Sequence, residues 1–454
     1  MTEKITPYDW QVEKMIIPLY NIFQRRQSAM CCGCCGSGKT VVGLDLARRL
    51  NLLPFVIAPK VALPSWRATA EAMGIVMVDV LNLEKLKTGN TRYLKKNGER
   101  FTWYLERDKI FVIWDEAHGA CGHKTLNSYI AGALWQPVLW KGEAINYQPK
   151  SLFMSATLGE SPIKFGGPLG KVLGLHGSGQ YDGLDWMKAH GCYLEERRGI
   201  QFPTGESRKP HLKRLHEELY PAMGVHLKHA DIPGFPENQI ITEMVTIKPK
   251  ELKDLQSAYD DIEALDRYER TRDVALGKDE NPLTMRIRAR QMSELAKIPA
   301  IVELTNNLIQ EGGSVIIFLD FRPTLDILLQ KLRKYNPAVI RGQQKLTTTF
   351  NEREVERVRF VADKTRVCLC AIKAGGQSCD LNDQHGLYQR YSIMSPPQSA
   401  LDYTQALGRA WRINSMSPSI QYMLLAQGTV EEKIAKQLET KLTNLDLIHD
   451  SDFY

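Results

Sequence analysis

Short runs of apolar residues alternate along this chain with longer segments of helical pattern. Three runs lie in the first part, PFVIAP at 54–59, IFVIWD at 110–115 and LFMSAT at 152–157. Four more lie in the second part: SVIIFLD at 314–320, RVCLCAI at 366–372, YSIM at 391–394 and IQYMLLA at 420–426. Continuous apolar runs of this length are typical of strands buried on both faces, and helices between them supply parallel crossovers. The pattern predicts an α/β fold with two parallel sheets.

A change of composition separates the two series of strands. Residues 159–183 are rich in glycine, and DIPGFPENQ at 231–239 combines proline and glycine as linkers do. We therefore predict one domain over residues 1–235 and a second over 236–454. Long polar helices over 249–311 are expected to lead into the second domain.

Composition narrows the class of protein. Of 454 residues, 43% are hydrophobic and 24% are charged, which excludes a disordered, collagen-like or coiled-coil chain. No run approaches the ~18 apolar residues of a membrane span, and the N-terminal MTEKITPYDW lacks the apolar core of an export signal. A cytoplasmic protein without a membrane partner is expected. The net charge of +7 is compatible with a polyanionic partner.

Residues 33–40 form a phosphate-binding motif. GCCGSGKT at 33–40 fits the P-loop pattern G-x-x-x-x-G-K-[ST], and the following VVGLDLARRL has helical character. Glycines let backbone N–H groups surround phosphates, lysine neutralises β- and γ-phosphate charge, and the threonine hydroxyl ligates Mg²⁺. The predicted ATP-binding residues are Gly33, Gly36, Ser37, Gly38, Lys39 and Thr40. The alternative is a chance glycine-rich turn.

Four cysteines surround this loop and leave a second alternative open. Cys31 with Cys34, and Cys32 with Cys35, each form a C-x-x-C spacing that metal sites use. No second pair of ligands stands nearby in the sequence, so small side chains that fit a tight loop are the preferred interpretation.

Two adjacent carboxylates and a histidine end the strand predicted at 110–115. In IFVIWDEAH, Asp115 is placed to hold Mg²⁺, and Glu116 to orient and deprotonate the attacking water. His118 is predicted to sense the γ-phosphate. The alternative is a solvated loop after a strand.

Together, GSGKT and DEAH resemble the motifs of superfamily 2 helicases and translocases. Ser155 and Thr157, in the segment SAT, resemble the motif that couples hydrolysis to strand contact in that superfamily, and QALGRAWRIN at 405–414 resembles its arginine motif. The resemblance implies that Arg409 and Arg412 act on the γ-phosphate from a second lobe. Because the two arginines lie three residues apart, we expect one helical face to present both.

Further segments resemble the Swi/Snf branch of double-stranded DNA translocases. They are FVIAPKVALPSW at 55–66, LKHADIPGFPENQIITEMVTIKPKE at 227–251, KIPAIVELTNNLIQEGGSVIIF at 297–318, AIKAGGQSCDLND at 371–383 and GTVEEKIAKQLETKL at 428–442. The resemblance to superfamily 2 implies that Gln11 reads adenine and that Gln405 and Asp380 bind nucleotide. An aspartate at position 380 is more similar to other branches of the superfamily, where it contacts the ribose. The chain departs from the branch at Ser155-Ala156-Thr157-Leu158, where Ser-Gly-Thr-Pro is usual, and at Asp380, where asparagine is usual.

Contacts to nucleic acid are expected where predicted strands end. The candidates are Lys60, Ser65 and Trp66 in the first domain and Arg322, Thr324, Lys373 and Gln377 in the second. A basic helical stretch, RIRAR at 286–290, is either a further contact or a solvated helix face.

The resemblance implies two RecA-like lobes with an ATP-binding cleft between them. It also implies an ATPase that moves along DNA, duplex by preference, as a monomer. Two alternatives stay open. One is a strand-separating or annealing helicase on forked or single-stranded DNA or on RNA. The other is a nucleotide-gated clamp that hydrolyses ATP slowly. The compact size favours a bacterial or phage source.

Overall fold

The chain forms two compact units. A computed structural model describes residues 5–98, 100–106, 108–120, 125–135, 138–140, 143–145, 148–156, 158–159, 161–177, 181–195, 199–247, 282–342, 344, 351–375 and 379–450. The first unit, lobe 1, comprises Met1–Pro233 and Lys441–Tyr454, and the second, lobe 2, comprises Gly234–Thr440. This division lies two residues before the predicted boundary, and it groups the last segment of the chain with lobe 1.

Lobe 1 is built on a six-stranded parallel sheet. The described strands of lobe 1, within and outside this sheet, are β1 (Ser28–Gly33), β2 (Leu53–Ile57), β3 (Asp79–Leu81), β4 (Leu94–Asn97), β5 (Arg100–Trp103), β6 (Ile110–Trp114), β7 (Val138–Trp140), β8 (Glu143–Ile145), β9 (Lys150–Met154), β10 (Tyr193–Glu195), β11 (Gly199–Gln201) and β12 (Gly224–Leu227). The sheet has the order β12-β1-β9-β6-β2-β3, and every neighbouring pair in it is parallel. The pairs β4-β5, β7-β8 and β10-β11 are separate antiparallel ribbons.

Helices connect these strands, as the sequence pattern predicts. They are α1 (Asp9–Gln11), which continues through a π-helical turn (Val12–Ile16) into α2 (Ile17–Phe23), α3 (Lys39–Arg49), α4 (Leu63–Ala72), α5 (Leu83–Lys87), α6 (Leu126–Gly132), α7 (Pro162–Gly166), α8 (Pro168–Leu173), α9 (Asp182–Ala189) and α10 (Arg208–Leu219). Short 3₁₀ turns cover Lys60–Ala62, Ala117–Ala120, Ala133–Trp135, Gly205–Ser207 and His229–Asp231.

The core of lobe 1 lies around strands that are buried on both faces. Every residue of β1 and β6 is buried. Leu447 and Ile448, near the end of the chain, pack in the same core at 4% and 0% exposure. Burial of these two side chains explains why the last segment belongs to lobe 1.

Lobe 2 is built on a second parallel sheet of six strands. Its strands are β13 (Asn238–Val245), β14 (Ser314–Leu319), β15 (Ala338–Ile340), β16 (Val367–Ala371), β17 (Arg390–Met394) and β18 (Ser419–Ala426), in the order β13-β18-β17-β14-β16-β15. Its helices are α11 (Pro282–Ala296), α12 (Ile298–Gln310), α13 (Arg322–Lys331), α14 (Glu352–Val361), α15 (Ile372–Gly375) and α16 (Ala400–Ala410), with a 3₁₀ turn at Arg333–Tyr335. Helix α17 (Val430–Asp450) begins in lobe 2, and its residues from Lys441 onward belong to lobe 1.

The architecture confirms the predicted α/β class with two RecA-like parallel sheets. All seven predicted runs are strands, with ends that move by a few residues. The sequence pattern did not predict β1, because its residues Ser28–Gly33 are small and rich in cysteine rather than branched. None of the helices that the structure describes is long and apolar enough to cross a bilayer.

Candidate nucleotide and nucleic-acid site

The P-loop connects the end of β1 to the start of α3. Gly36 and Gly38 have φ angles of 79° and 71°, which lie in the left-handed region that favours glycine. A Cβ atom on Gly38 would lie 2.4 Å from Gln11 Nε2. Gly38 therefore serves both the backbone turn and a close approach to α1.

Gln11 is hydrogen-bonded to this loop. Its Nε2 donates to the carbonyl of Ser37 at 2.8 Å, its Oε1 accepts from the Tyr8 N–H at 2.9 Å, and the residue is 2% exposed. The structure thus places Gln11 as a support behind the loop. Its predicted role toward adenine stays a prediction.

The loop residues fit a bound phosphate chain. Lys39 Nζ donates to the carbonyls of Gly33 and Cys34 at 2.8 and 3.0 Å, so the ammonium lies over its own loop. Ser37 Oγ is buried and has no hydrogen-bond partner among the described residues. Thr40 is the second residue of α3. A positive side chain, an orphaned hydroxyl and a helix N-terminus are the groups that nucleotide phosphates and Mg²⁺ require.

The loop cysteines behave as packing residues. Burial raises the pKa of Cys34 to about 12 and that of Cys31 to about 11, so both thiols are protonated at neutral pH. His229 Nε2 donates to the carbonyl of Cys35 at 3.2 Å, although the two residues lie 194 positions apart. Within the described part of the chain, no group of three or more His, Cys, Asp or Glu side chains is arranged to hold a metal ion.

Asp115 and Glu116 follow β6. Asp115 Oδ2 accepts from Trp66 Nε1 at 2.9 Å, and its Oδ1 accepts from the Glu116 N–H at 3.0 Å. Burial, and then the charge of Glu116, raise the pKa of Asp115 to about 6, against the lowering effects of Trp66 and Lys39. Glu116 has a φ of 50°, an uncommon left-handed conformation for a residue with a side chain.

A histidine connects the acidic pair to the next strand of the sheet. His118 Nδ1 lies 3.2 Å from Glu116 Oε2 and 3.2 Å from Ser155 Oγ. Ser155 follows β9, which lies between β1 and β6 in the sheet. The P-loop, the acidic pair and Ser155 therefore follow the carboxyl ends of three adjacent parallel strands, where ligands bind in α/β sheets. Thr157 lies outside the described residues.

The predicted nucleic-acid residues of lobe 1 differ in exposure. Lys60 and Ser65 are exposed at the start of the segment that contains α4. Trp66 is 1% exposed, and its indole nitrogen faces Asp115 rather than solvent. The structure therefore places Trp66 with the acidic pair and not with a nucleic-acid surface.

The candidates of lobe 2 also differ. Arg322 begins α13 and is exposed, with its Nε 3.6 Å from Asp326 Oδ2. Lys373 is exposed on α15, whereas Thr324 is fully buried. Because a buried side chain has no surface to offer a phosphate, Thr324 does not form such a contact in this structure. Gln377 lies outside the described residues.

The basic stretch at 286–290 has two kinds of surroundings. Arg286 and Arg288 are exposed, but Arg290 turns toward Asp320 and forms an ion pair with it. On the same helix, Glu294 accepts from the N–H groups of Asp320 and Phe321 at 2.9 and 3.2 Å. Helix α11 thus holds the loop that precedes α13, a role that its sequence spacing did not reveal.

The arginine motif does not lie on one helical face. Helix α16 ends at Ala410, with Gln405 and Arg409 buried at 6% and 4% exposure, and Arg412 lies beyond its end. The expectation of one shared face was therefore wrong. The helix ends there because Trp411 adopts an extended conformation and donates its indole N–H to the carbonyl of Pro236 at 2.7 Å.

Arg412 instead contacts Asp380. Their side chains form an ion pair of 2.6 Å, and the charge of Arg412 is the main cause that lowers the pKa of Asp380. Arg409 and Arg357 lower this pKa further, against the effect of burial. Asp380 is therefore ionised and held by an arginine of the motif.

Comparison with known proteins adds independent observations. Residues 296–414 match the model of the helicase conserved C-terminal domain. A protein of Acanthamoeba polyphaga mimivirus, provisionally named an ATP-dependent RNA helicase, is 27% identical over 92% of this chain and 79% of its own length. The DNA excision repair protein ERCC-6-like of Danio rerio is 32% identical over 32% of this chain and 10% of its own length. The DNA repair and recombination protein RAD54-like of Drosophila virilis is 27% identical over 30% of this chain and 17% of its own length.

These matches extend over the segments that carry the sequence motifs. The helicase domain match contains the arginine motif, and the mimivirus match extends over nearly the whole chain, so it includes both lobes. The chain is therefore similar to superfamily 2 helicases over the segments that carry its motifs, and in part to proteins of the Swi/Snf branch.

Proposed function

We propose that this chain is a translocase that couples hydrolysis of Mg²⁺-bound ATP to movement along duplex DNA. The observation that carries the proposal is the position of His118, 3.2 Å from both Glu116 Oε2 and Ser155 Oγ. A change in charge or geometry at Glu116 during hydrolysis reaches Ser155 through one side chain. Ser155 belongs to the segment SAT, which resembles the motif that couples ATP hydrolysis to strand contact in superfamily 2.

The residues of lobe 1 have complementary roles in this proposal. Lys39 exchanges its loop carbonyls for phosphate oxygens, and Thr40 and Asp115 hold Mg²⁺, which neutralises charge on the phosphates when it is bound. Glu116 orients the attacking water and accepts its proton. Gly33, Gly36, Ser37 and Gly38 supply the turn that surrounds the phosphates.

The arginine motif of lobe 2 contributes in a later step. Arg409 and Arg412 stabilise negative charge on the γ-phosphate, as the resemblance implies. Arg412 is paired with Asp380 in this structure, so a phosphate competes with this carboxylate for the guanidinium or binds its remaining N–H donors. Gln405 and the ribose role of Asp380 stay predictions.

Nucleic acid is contacted through phosphates. The exposed Lys60, Ser65, Arg322 and Lys373 are the proposed contacts, and the buried Trp66 and Thr324 are not. Contacts of this kind are independent of base sequence and weaken with salt. Thr157 and Gln377 stay predictions in their assigned roles, as do the monomeric state and the cytoplasmic location.

The substrate could instead be RNA, because the mimivirus relative is named an RNA helicase. Steady-state ATPase activity, measured without nucleic acid and then with duplex DNA, single-stranded DNA, forked DNA or RNA at two salt concentrations, separates these substrates. The proposal predicts the strongest stimulation by duplex DNA and a smaller effect at the higher salt. Preference for forks, single strands or RNA would favour the helicase alternatives. A low rate that no nucleic acid raises would favour the clamp.

A further inference from the structure

Trp66 connects two parts of lobe 1 that lie 49 residues apart in the sequence. It lies in α4 and is 1% exposed, and its buried indole N–H is directed at a carboxylate. Nε1 donates to Asp115 Oδ2 at 2.9 Å. The adjacent residue, Ser65, is exposed, and so is Lys60.

Among the described residues, each oxygen of Asp115 accepts one hydrogen bond. Oδ2 accepts from Trp66, and Oδ1 accepts from the Glu116 N–H at 3.0 Å. A carboxylate oxygen can accept about two hydrogen bonds or ligands, so each oxygen keeps one position open. The two donors therefore set the plane of the carboxylate and leave it able to bind a hydrated cation.

We propose that Trp66 is the positioning residue of the Mg²⁺-binding carboxylate Asp115, and that it transmits nucleic-acid binding at Lys60 and Ser65 to the metal site. This inference rests on the proposed function. A phosphate bound at the exposed start of α4 shifts the helix, and Trp66 carries the shift to the orientation of Asp115. Stimulation of the ATPase by nucleic acid then acts in part through Mg²⁺ binding.

Replacing Trp66 by phenylalanine removes the N–H donor and keeps an aromatic ring. The measurement is the Mg²⁺ concentration that half-saturates binding of a fluorescent ATP analogue, without nucleic acid. Loss of such a hydrogen bond to a metal ligand weakens metal binding by roughly 10-fold or more, so Trp66→Phe is expected to raise this concentration by about that factor. Adding nucleic acid is expected to lower the wild-type concentration and to leave that of Trp66→Phe unchanged.

Trp186→Phe is the matched control. Trp186 Nε1 donates to Glu218 Oε2 at 3.2 Å, which is the same chemical pair in α9, outside the predicted site. The Trp186→Phe variant is expected to show the Mg²⁺ dependence of the wild type, with and without nucleic acid. A Trp66→Phe protein with wild-type Mg²⁺ dependence would overturn the inference, whereas a wild type that binds no nucleotide with Mg²⁺ would overturn the proposed function itself.

A second measurement avoids the need for a folded Trp66 variant. In protein labelled with ¹⁵N-tryptophan, Asp115→Ala is expected to shift one indole N–H signal strongly, and the wild type should shift that same signal on addition of Mg²⁺ and ATP. If Asp115→Ala moves no indole signal, or if Mg²⁺ and ATP leave the shifted one unchanged, Trp66 does not position Asp115.

Discussion

At the scale of single residues, Asp115 and Glu116 are neighbours with different surroundings. Asp115 is held by Trp66 and by a backbone N–H, whereas Glu116 adopts a left-handed backbone with φ of 50° and approaches His118. The first arrangement suits a fixed cation ligand. The second suits a group that meets a water molecule and exchanges a proton with it.

Glu116→Gln is expected to lower the ATPase rate by at least about 100-fold, because the amide cannot accept a proton from water. Nucleotide binding should persist, since Lys39 and Asp115 are unchanged. Glu106→Gln is the control, because Glu106 is exposed and pairs only with the neighbouring Lys109 in the contacts described. Normal turnover in Glu116→Gln would contradict the role assigned to Glu116.

Gly38→Ala tests the close approach between the P-loop and Gln11. The added Cβ would lie 2.4 Å from Gln11 Nε2 at a φ of 71°, so the Gln11 amide must move and lose its hydrogen bond to the Ser37 carbonyl, and we expect weaker nucleotide binding. Gly74→Ala is the control, because Gly74 has a φ of 64° and no atom within 4 Å of an added Cβ. Both variants should lose about 1–2 kcal/mol of stability from the left-handed backbone. Equal nucleotide affinity in the two would refute the close approach.

The motif residues Lys39, Thr40, Asp115 and Glu116 could be predicted because their spacing within the sequence is local and specific to the chemistry. The supporting contacts could not. Gln11 donates to the backbone carbonyl of Ser37, 26 positions away, and Trp66 donates to the side-chain carboxylate of Asp115, 49 positions away. Those pairings depend on how helices pack on the sheet, and a single sequence contains no local signal for them.

At the scale of elements, α11, α12 and α17 are joined within lobe 2 by buried charges. Lys297, directly before α12, is 0% exposed, and its Nζ lies 2.6 Å from Glu431 Oε2 at the start of α17. It also donates to Ser395 Oγ and to the carbonyl of Leu424 at 2.6 and 2.9 Å. A buried ion pair with such additional bonds fixes the position of both helices.

Lys297→Met is expected to destabilise lobe 2 by about 3–5 kcal/mol, because Glu431 would stay buried without its counter-charge. The double variant Lys297→Met/Glu431→Leu should recover most of this loss. Chemical denaturation measures both. Lys188→Met removes an exposed ion pair with Asp185 and should change stability by about 0.5 kcal/mol or less. A small effect of Lys297→Met would contradict the structural role of the pair.

Glu294 gives α11 a dependence on pH. Burial raises the pKa of its carboxyl from the usual 4.5 to about 7, although the Asp320 N–H lowers it. The folded state therefore binds an extra proton between these values, and the stability that this proton confers is lost as pH rises from about 4.5 to about 7. Glu294→Gln should remove this component, which amounts to about 3 kcal/mol.

Unfolding measured at several pH values from 4.5 to 8 tests this expectation. The difference in stability between Glu294→Gln and the wild type should increase in favour of the variant as pH rises. Glu303→Gln, on the exposed side of α12, serves as control and should follow the wild type. Parallel pH profiles for Glu294→Gln and the wild type would contradict the assignment.

The elements themselves were largely predictable, because buried parallel strands are continuous apolar runs. Runs such as IFVIW (β6) and SVIIFL (β14) are unambiguous. The strand SAMCCG (β1) has no such run, and the end of α16 depends on the contact of Trp411 with Pro236, far away in the sequence. Tertiary contacts decided both features, and local propensity did not.

At the scale of the whole molecule, the motifs are divided between two parallel-sheet lobes. Lobe 1 contains the P-loop, the acidic pair and Ser155, and lobe 2 contains the arginine motif and the segment that matches the helicase C-terminal domain. The similarity to the mimivirus protein covers 92% of the chain. A chain that is similar to a helicase over most of its length, and not only at its candidate nucleotide site, is expected to use ATP for work on nucleic acid.

Movement along duplex DNA is tested most directly by displacement of a third strand. A short triplex-forming strand bound to one end of a linear duplex is released when a motor travels through it, and the release is followed by a fluorescent label. We predict ATP-dependent release, none with Glu116→Gln, and no separation of the two duplex strands. Stimulated ATP hydrolysis without release of the third strand would contradict translocation along duplex DNA.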